Sequence, residues 1–178
     1  MAIVSGGGGS ASSGGATQIC DLLLGGTQAT FDTSTILGGV LPTVYSHLLV
    51  YTSGRISAAS GHQIISMQFN ADTATNYDDY RLEGSGAAQA VALENLAVAG
   101  IRLGFFPGTT ATANFVGVAS ATIHNYRGTT YNKAVEASGF DAIATSSTNL
   151  FREAAGGTWK NTAAITSIQL VPVSGSFI

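Results

Sequence analysis

The sequence predicts an all-β protein, an antiparallel β-sandwich or barrel with an extended Gly/Ser-rich N-terminal arm. Three observations carry this expectation. Short apolar or alternating runs of strand length recur along the chain, with turn signals at roughly even spacing between them. The 178 residues suffice for one domain, which at this size buries roughly 70% of its unfolded surface without disulfide or metal staples. Only 10% of residues are charged, against about 25% in ordinary soluble domains, so much of the surface is Ser, Thr, Ala and Gly or is buried against partners.

The expected division is an arm over 1–17 and a sandwich over 18–178. Residues 6–9 are consecutive glycines and 10–15 continue in Ser, Ala and Gly, a composition that is a flexible coil in isolation. Ile3 and Val4 are the bulky residues near the start of the arm and are expected to anchor it, with a neighbouring subunit as the simplest partner. Gln18–Leu24 reads as the first strand, ended by Gly25-Gly26, and Ala29–Phe31 as a short second piece. Residues 32–42 read as irregular, punctuated by Gly38-Gly39 and Pro42.

Tyr45–Ile56 alternates Leu48, Val50 and Thr52 with Leu49, Tyr51 and Ser53, mostly apolar on both faces, which predicts an inner strand. Ile64–Asn70 follows, with Ile65, Met67 and Phe69 on one face. In Tyr77–Leu82 the expected core face is that of Asp78, Tyr80 and Leu82, beginning at Tyr80. Residues 87–96 read either as a short Ala/Leu-rich helix or as a loop with a strand around Val91–Leu93. Ile101–Phe105 is a strand ended by Pro107-Gly108. Phe115–Ala137 reads as a β-hairpin turning at Gly128-Thr129, with Phe115, Gly117, Ala119, Ala121 and Ile123 sharing a face. Leu150–Ala155, Gly157–Lys160 and Ile165–Val171 complete the set.

The net charge of −3, without clustered Lys or Arg, points away from nucleic acid. No apolar run approaches the roughly 20 residues of a membrane helix, and the N-terminus has neither the basic nor the apolar region of a signal peptide. The expected place of synthesis is a cytoplasm. Cys20 is the single cysteine, read as a buried thiol.

Candidate chemistry is sparse. Asp72, Asn76, Asp78 and Asp79 form an oxygen-rich loop that can be drawn as a Ca²⁺ site. The spacing is not that of an EF-hand, and Asp and Asn are ordinary turn formers, so the expectation is no metal and no cofactor. His47, His62 and His124 are possible bases, but no Gly-x-Ser-x-Gly elbow accompanies them. Glu83, Glu94, Glu136 and Glu153 are possible glycosidase carboxylates, with exposed strand ends as the plainer reading. Tyr45, Tyr51, Tyr77, Tyr80, Tyr126, Tyr131 and Trp159 offer either a sugar-stacking platform or core and interface packing; packing is expected. No enzymatic activity is expected.

Three segments in order carry a resemblance: Phe69-Asn70, Asp72, Asn76-Tyr77, Leu82 and Gly84; Ile123-His124-Asn125-Tyr126 with Thr129-Thr130 and Lys133; and Gly157-Thr158-Trp159, residues 162–168, Pro172 and residues 174–177. Together, over roughly 19–178, they resemble a β-sandwich domain of tailed-bacteriophage virion proteins of the decoration, minor-tail or tail-fibre type. The resemblance implies a jelly-roll-like antiparallel β-sandwich and a non-enzymatic structural protein, located in the virion and made in the host cytoplasm. It implies a homotrimer bound to major capsid or tail proteins, as a capsid decoration or cement protein. The alternative it carries is a tail-fibre or receptor-binding tip recognising host surface carbohydrate. Ile3, Val4, Trp159 and Phe177 are the expected interface residues. Relatives commonly continue past the position of Ile178 with a further Gly- and aromatic-containing strand, which more chain or a partner subunit is expected to supply.

Overall fold

The computed structural model describes residues 2–6, 17–21, 26–86, 88–143 and 150–178, with backbone alone for 2–6 and 88–90. The strands are β1 (Ala2–Gly6), β2 (Thr17–Asp21), β3 (Phe31–Asp32), β4 (His47–Gly54), β5 (His62–Phe69), β6 (Tyr77–Ser85) and β7 (Ala88–Val98). They continue with β8 (Ile101–Pro107), β9 (Gly117–His124), β10 (Lys133–Ala142), β11 (Leu150–Trp159) and β12 (Ile168–Pro172). Among the described residues they form an eight-stranded sheet in the order β2-β1-β4-β9-β10-β11-β6-β7 and a four-stranded sheet in the order β3-β12-β5-β8. All recorded pairings between strands are antiparallel. The two sheets pack as a jelly-roll-like sandwich.

Period-two alternation places the core. Leu48, Val50, Ala119, Ala121, Ile123, Val135 and Ala137 project inward from the large sheet and meet Ile65, Met67, Phe69, Leu103, Ile168 and Leu170. At one end Trp159 packs against Phe69 and Tyr77, with ring centroids 5.6 and 6.3 Å away. A tight turn at Asn70 and Ala71, both at positive φ, carries the chain from β5 toward β6. The Asn70 side chain fastens this turn to the segment before β12: its Oδ1 accepts from the Thr166 amide at 2.7 Å and its Nδ2 donates to Ala164 O at 2.9 Å.

Several expectations are corrected. Residues 2–6 of the expected arm form β1, paired on both sides within the same chain: Ile3 opposite Cys20 and Val50, Val4 opposite Leu49. The β-branched pair favours a strand. Residues 7–16, which hold the rest of the glycine-rich stretch, lie outside the described residues, as do Met1 and residues 22–25. Residues 33–37 form the one helix among the described residues, α1 (Thr33–Leu37), capped by the Asp32 carboxylate on the Ser34 amide at 2.8 Å and closed by Gly38 at φ +65°. β4 buries only its Leu48/Val50/Thr52 face, while Tyr51 and Ser53 are exposed. The helix alternative at 87–96 is replaced by β7, because pairing with β6 overrides the helical propensity of Ala and Leu; Ala87 itself lies outside the described residues. β11 is a single strand where two pieces were expected.

β8 crosses β10 in backbone contact. A Cβ on Gly139 would lie 2.7 Å from the Leu103 carbonyl oxygen and 2.8 Å from Gly104 Cα, and Gly104 itself sits at φ +151°. Only glycine fits both sides of this crossing. Gly139→Ala is therefore expected to cost about 1–3 kcal/mol of unfolding free energy, read from the urea midpoint. An unchanged midpoint would mean that β8 and β10 do not approach so closely.

Candidate functional site

The polar chemistry of the chain collects in a buried seam between the sheets at the β6–β11 side. Glu83 and Glu153 are direct cross-strand partners on β6 and β11, a placement that like charges make unfavourable. Arg102 of β8 reaches in from the other sheet and bridges them. Its Nε lies 2.8 and 3.0 Å from the two Glu153 oxygens, and its Nη2 lies 3.2 Å from Glu83. The guanidinium also stacks 4.0 Å above the Phe105 ring. Arg81 extends the seam, 3.4 Å from Glu83 and 3.7 Å from Asp79. Burial pulls Arg102 below its ordinary value and pushes the Glu153 carboxyl up.

At the far end Asp141 is fully buried with neither oxygen hydrogen-bonded, and burial raises its pKa to about 7. His62 stands 3.9 Å away, stacked on Phe105 and edge-on to Phe151. Burial lowers its pKa, favouring the neutral imidazole.

The expected site residues separate. Of the four glutamates, Glu83 and Glu153 meet, but with Arg102 filling the space between them; Glu94 and Glu136 are exposed. His47 and His124 face each other across β4 and β9, away from His62, and His124 lies 3.9 Å from Glu136. Asp72 accepts from Trp159 Nε1 at 2.8 Å and from the Asn76 amide at 3.0 Å, and the Asn76 bond holds its carboxyl below the usual range. Asp78 pairs with Lys160 at 2.8 Å, which likewise lowers its pKa, while Asp79 turns inward to the seam. These carboxylates face different protein partners rather than one centre. Tyr77, Tyr126 and Trp159 are core; Tyr51, Tyr80 and Tyr131 are exposed. Trp159 and Phe177, expected at an interface, lie in this chain's own core at 1% and 2% exposure. Cys20 is buried, as expected.

The core face of β6 is the reverse of the expected one. Tyr77 and Asp79 are buried, whereas Tyr80 and Leu82 are 51% and 47% exposed. Hydrophobicity points the wrong way here because the β6 interior is the charged seam. The sequence signal missed was the alternation of Asp79, Arg81 and Glu83, a strand-period run of opposite charges.

Outside the seam, the register aligns Tyr51, Ser120, Ser138, Ala154, Leu82 and Ala92 as one row across six strands on the outer face of the large sheet. No member of this row is charged. Comparison of the chain with protein-family models, with curated proteins and with solved structures gave no match.

Two outcomes follow from the seam. Arg102→Met strands two carboxylates and is expected to cost about 3–5 kcal/mol. The Arg102→Met/Glu153→Met pair should recover part of that loss in a urea titration; a double variant no better than the single would refute the bridge. The folded protein holds the Asp141 proton more tightly than the unfolded chain, so this group lowers stability as pH rises from about 4 to about 7. Asp141→Asn is expected to gain on the parent over that window, by at most about 4 kcal/mol, and to level off above it. A gain independent of pH would place the Asp141 titration elsewhere.

Proposed function

We propose that the chain is a non-enzymatic structural protein of a tailed-bacteriophage virion, an exterior homotrimer that attaches to the particle as a capsid decoration or cement protein. One observation carries this reading: the charge-free row from Tyr51 to Ala92 across six strands of the large sheet. Interface centres are depleted of charge and enriched in aromatic side chains. The row is flanked on the same face by exposed Val118, Phe140 and Tyr80, with charged Arg152, Glu136 and Glu94 in the same two neighbouring rows. Such a row offers an uncharged centre to a sister subunit or the capsid shell, with Arg152, Glu136 and Glu94 as a charged rim beside it. Repetition of modest contacts around an oligomer and over a shell multiplies weak binding. The resemblance of three ordered segments to virion sandwich domains points the same way, as an analogy of sequence.

Gold-labelled antibody against the chain, viewed on intact particles, is expected to spread over the head. Label confined to the tail tip would favour receptor binding, and unlabelled particles would overturn the virion assignment. Within the decoration reading, Ala92→Glu and Leu82→Glu place charges in the row. They are expected to reduce attachment at least about tenfold, because a buried unpaired charge is costly, while shifting monomer stability by only about 0.5 kcal/mol, as exposed substitutions do. Full attachment by both variants would clear this face of the role.

A further inference from the structure

Two buried polar groups meet at the end of the sandwich opposite Trp159. Asp141 lies near the end of β10 in the large sheet, and His62 opens β5 in the small one. Asp141 is fully buried, and neither of its oxygens has a hydrogen-bond partner. The His62 Nδ1 is likewise buried and unpartnered, 3.9 Å from Asp141 Oδ2. A closure of about 1 Å brings the two atoms to hydrogen-bond distance. Phe105 stacks on the imidazole and Phe151 meets it edge-on, which sets the plane of the ring. The side chain is 27% exposed although Nδ1 is buried, so its accessible edge is the one that carries Nε2. One nitrogen faces the interior carboxyl and the other faces water.

The neighbouring charges offer Asp141 no cation. Glu153 of β11 and Glu83 of β6 oppose its ionisation. Arg102 of β8 is engaged by those two glutamates, and Arg81 of β6 by Glu83 and Asp79. The titratable residue of β9, His124, lies at the other end of that strand. Beyond Asp141 the chain leans on a loop: Ile143 O accepts from the Thr112 amide at 2.9 Å. Arg55 holds that loop by donating to the carbonyls of Gly108, Thr112 and Phe115 at 2.7, 2.8 and 2.7 Å.

We propose that His62 and Asp141 form a proton-operated latch between the two sheets, with His62 as the relay to water, which holds the end of β10 while the carboxyl is protonated and loosens it when that proton is lost. In the closed state the carboxyl O–H donates to a bare Nδ1, and Nε2 carries the ring proton. On opening, the carboxyl proton passes to Nδ1 and Nε2 gives its proton to water, so one proton leaves and the imidazole has exchanged tautomers. The carboxylate left behind has one hydrogen bond and no ion partner, a costly burial. The contacts nearest to it, residues 139–143 and the 108–115 loop, are the ones that open.

The first test is an NMR pH titration of the full chain. The Asp141 carboxyl ¹³C signal is expected to inflect at about pH 7, with the His62 ring ¹⁵N signals exchanging tautomers over the same range. An inflection at about 4, the ordinary carboxyl value, or a tautomer fixed throughout would overturn the relay. His62→Phe keeps the ring and removes Nδ1. It is expected to raise the Asp141 inflection by at least about half a pH unit, because a bond to the carboxylate is stronger than one to the neutral acid; an unmoved inflection would count against the relay. The second test is amide hydrogen exchange, taken as the ratio of parent to Asp141→Asn. Asp141 is protonated more tightly in the closed state, so opening becomes easier as pH rises. The ratio is expected to increase about tenfold between about pH 6 and pH 8 in residues 108–115 and 139–143, and to stay level in residues 118–123 of the core. No increase, or an equal increase in 118–123, would overturn the local release. The latch does not rest on the virion reading, and neither test bears on it.

Discussion

A single guanidinium holds the charged half of this sandwich together. β6 and β11 cannot lie side by side in their observed register without setting Glu83 against Glu153 in the interior. Arg102, projecting from the opposite sheet, makes that register tolerable. The same contact fixes where β8 sits along the large sheet, because a slip of one residue turns Arg102 away and brings a neighbour of opposite facing into the seam. Buried ion pairs add little net stability, since desolvation offsets the Coulomb gain. Their effect here is selective: alternative packings of the two sheets leave carboxylates buried and unpaired.

The other half of the interior is held by close contact. Gly104 and Gly139 let β8 lie directly against β10, which draws Leu103 and Phe106 into the apolar core. Trp159, Phe69 and Tyr77 seal the end where the chain turns from one sheet to the other. The Tyr77 hydroxyl completes that corner by accepting from the Phe69 amide at 2.9 Å and donating to the Asp72 carbonyl at 3.1 Å. The stretch from Met67 to Gly84 thus spans both sheets, the aromatic corner and the seam.

Much of the fold was legible in the sequence. Alternation grouped Ile65, Met67 and Phe69 on one face, and likewise Gly117, Ala119, Ala121 and Ile123, and these faces turn inward because the strands pack on an apolar layer. The β9–β10 hairpin followed from turn residues between two such runs. The failures have physical causes. β6 was read on the wrong face because its interior neighbours are ions, and hydrophobicity cannot signal a core made of paired charge. β7 was ambiguous because Ala and Leu suit a helix when no partner strand is in view. The small helix at 33–37 rests on one Asp cap and one glycine, too brief a pattern to show periodicity. The seam itself joins residues 83, 102 and 153, whose meeting depends on sheet order and leaves no local trace. The outer row is likewise a product of register across strands distant in sequence.

The strand order also governs how the molecule comes into being. The centre of the large sheet sets β4 beside β9 and β6 beside β11, each pairing spanning more than sixty residues of chain. The early strands emerge from the ribosome long before their partners exist, so the central ladder cannot close until most of the polypeptide has been made. Non-local closure of this kind is slow and leaves unpaired strand edges open to other chains meanwhile. Folding is thereby deferred to a late, nearly all-at-once event, and nascent chains crowded together during bulk synthesis are at their most vulnerable just before it.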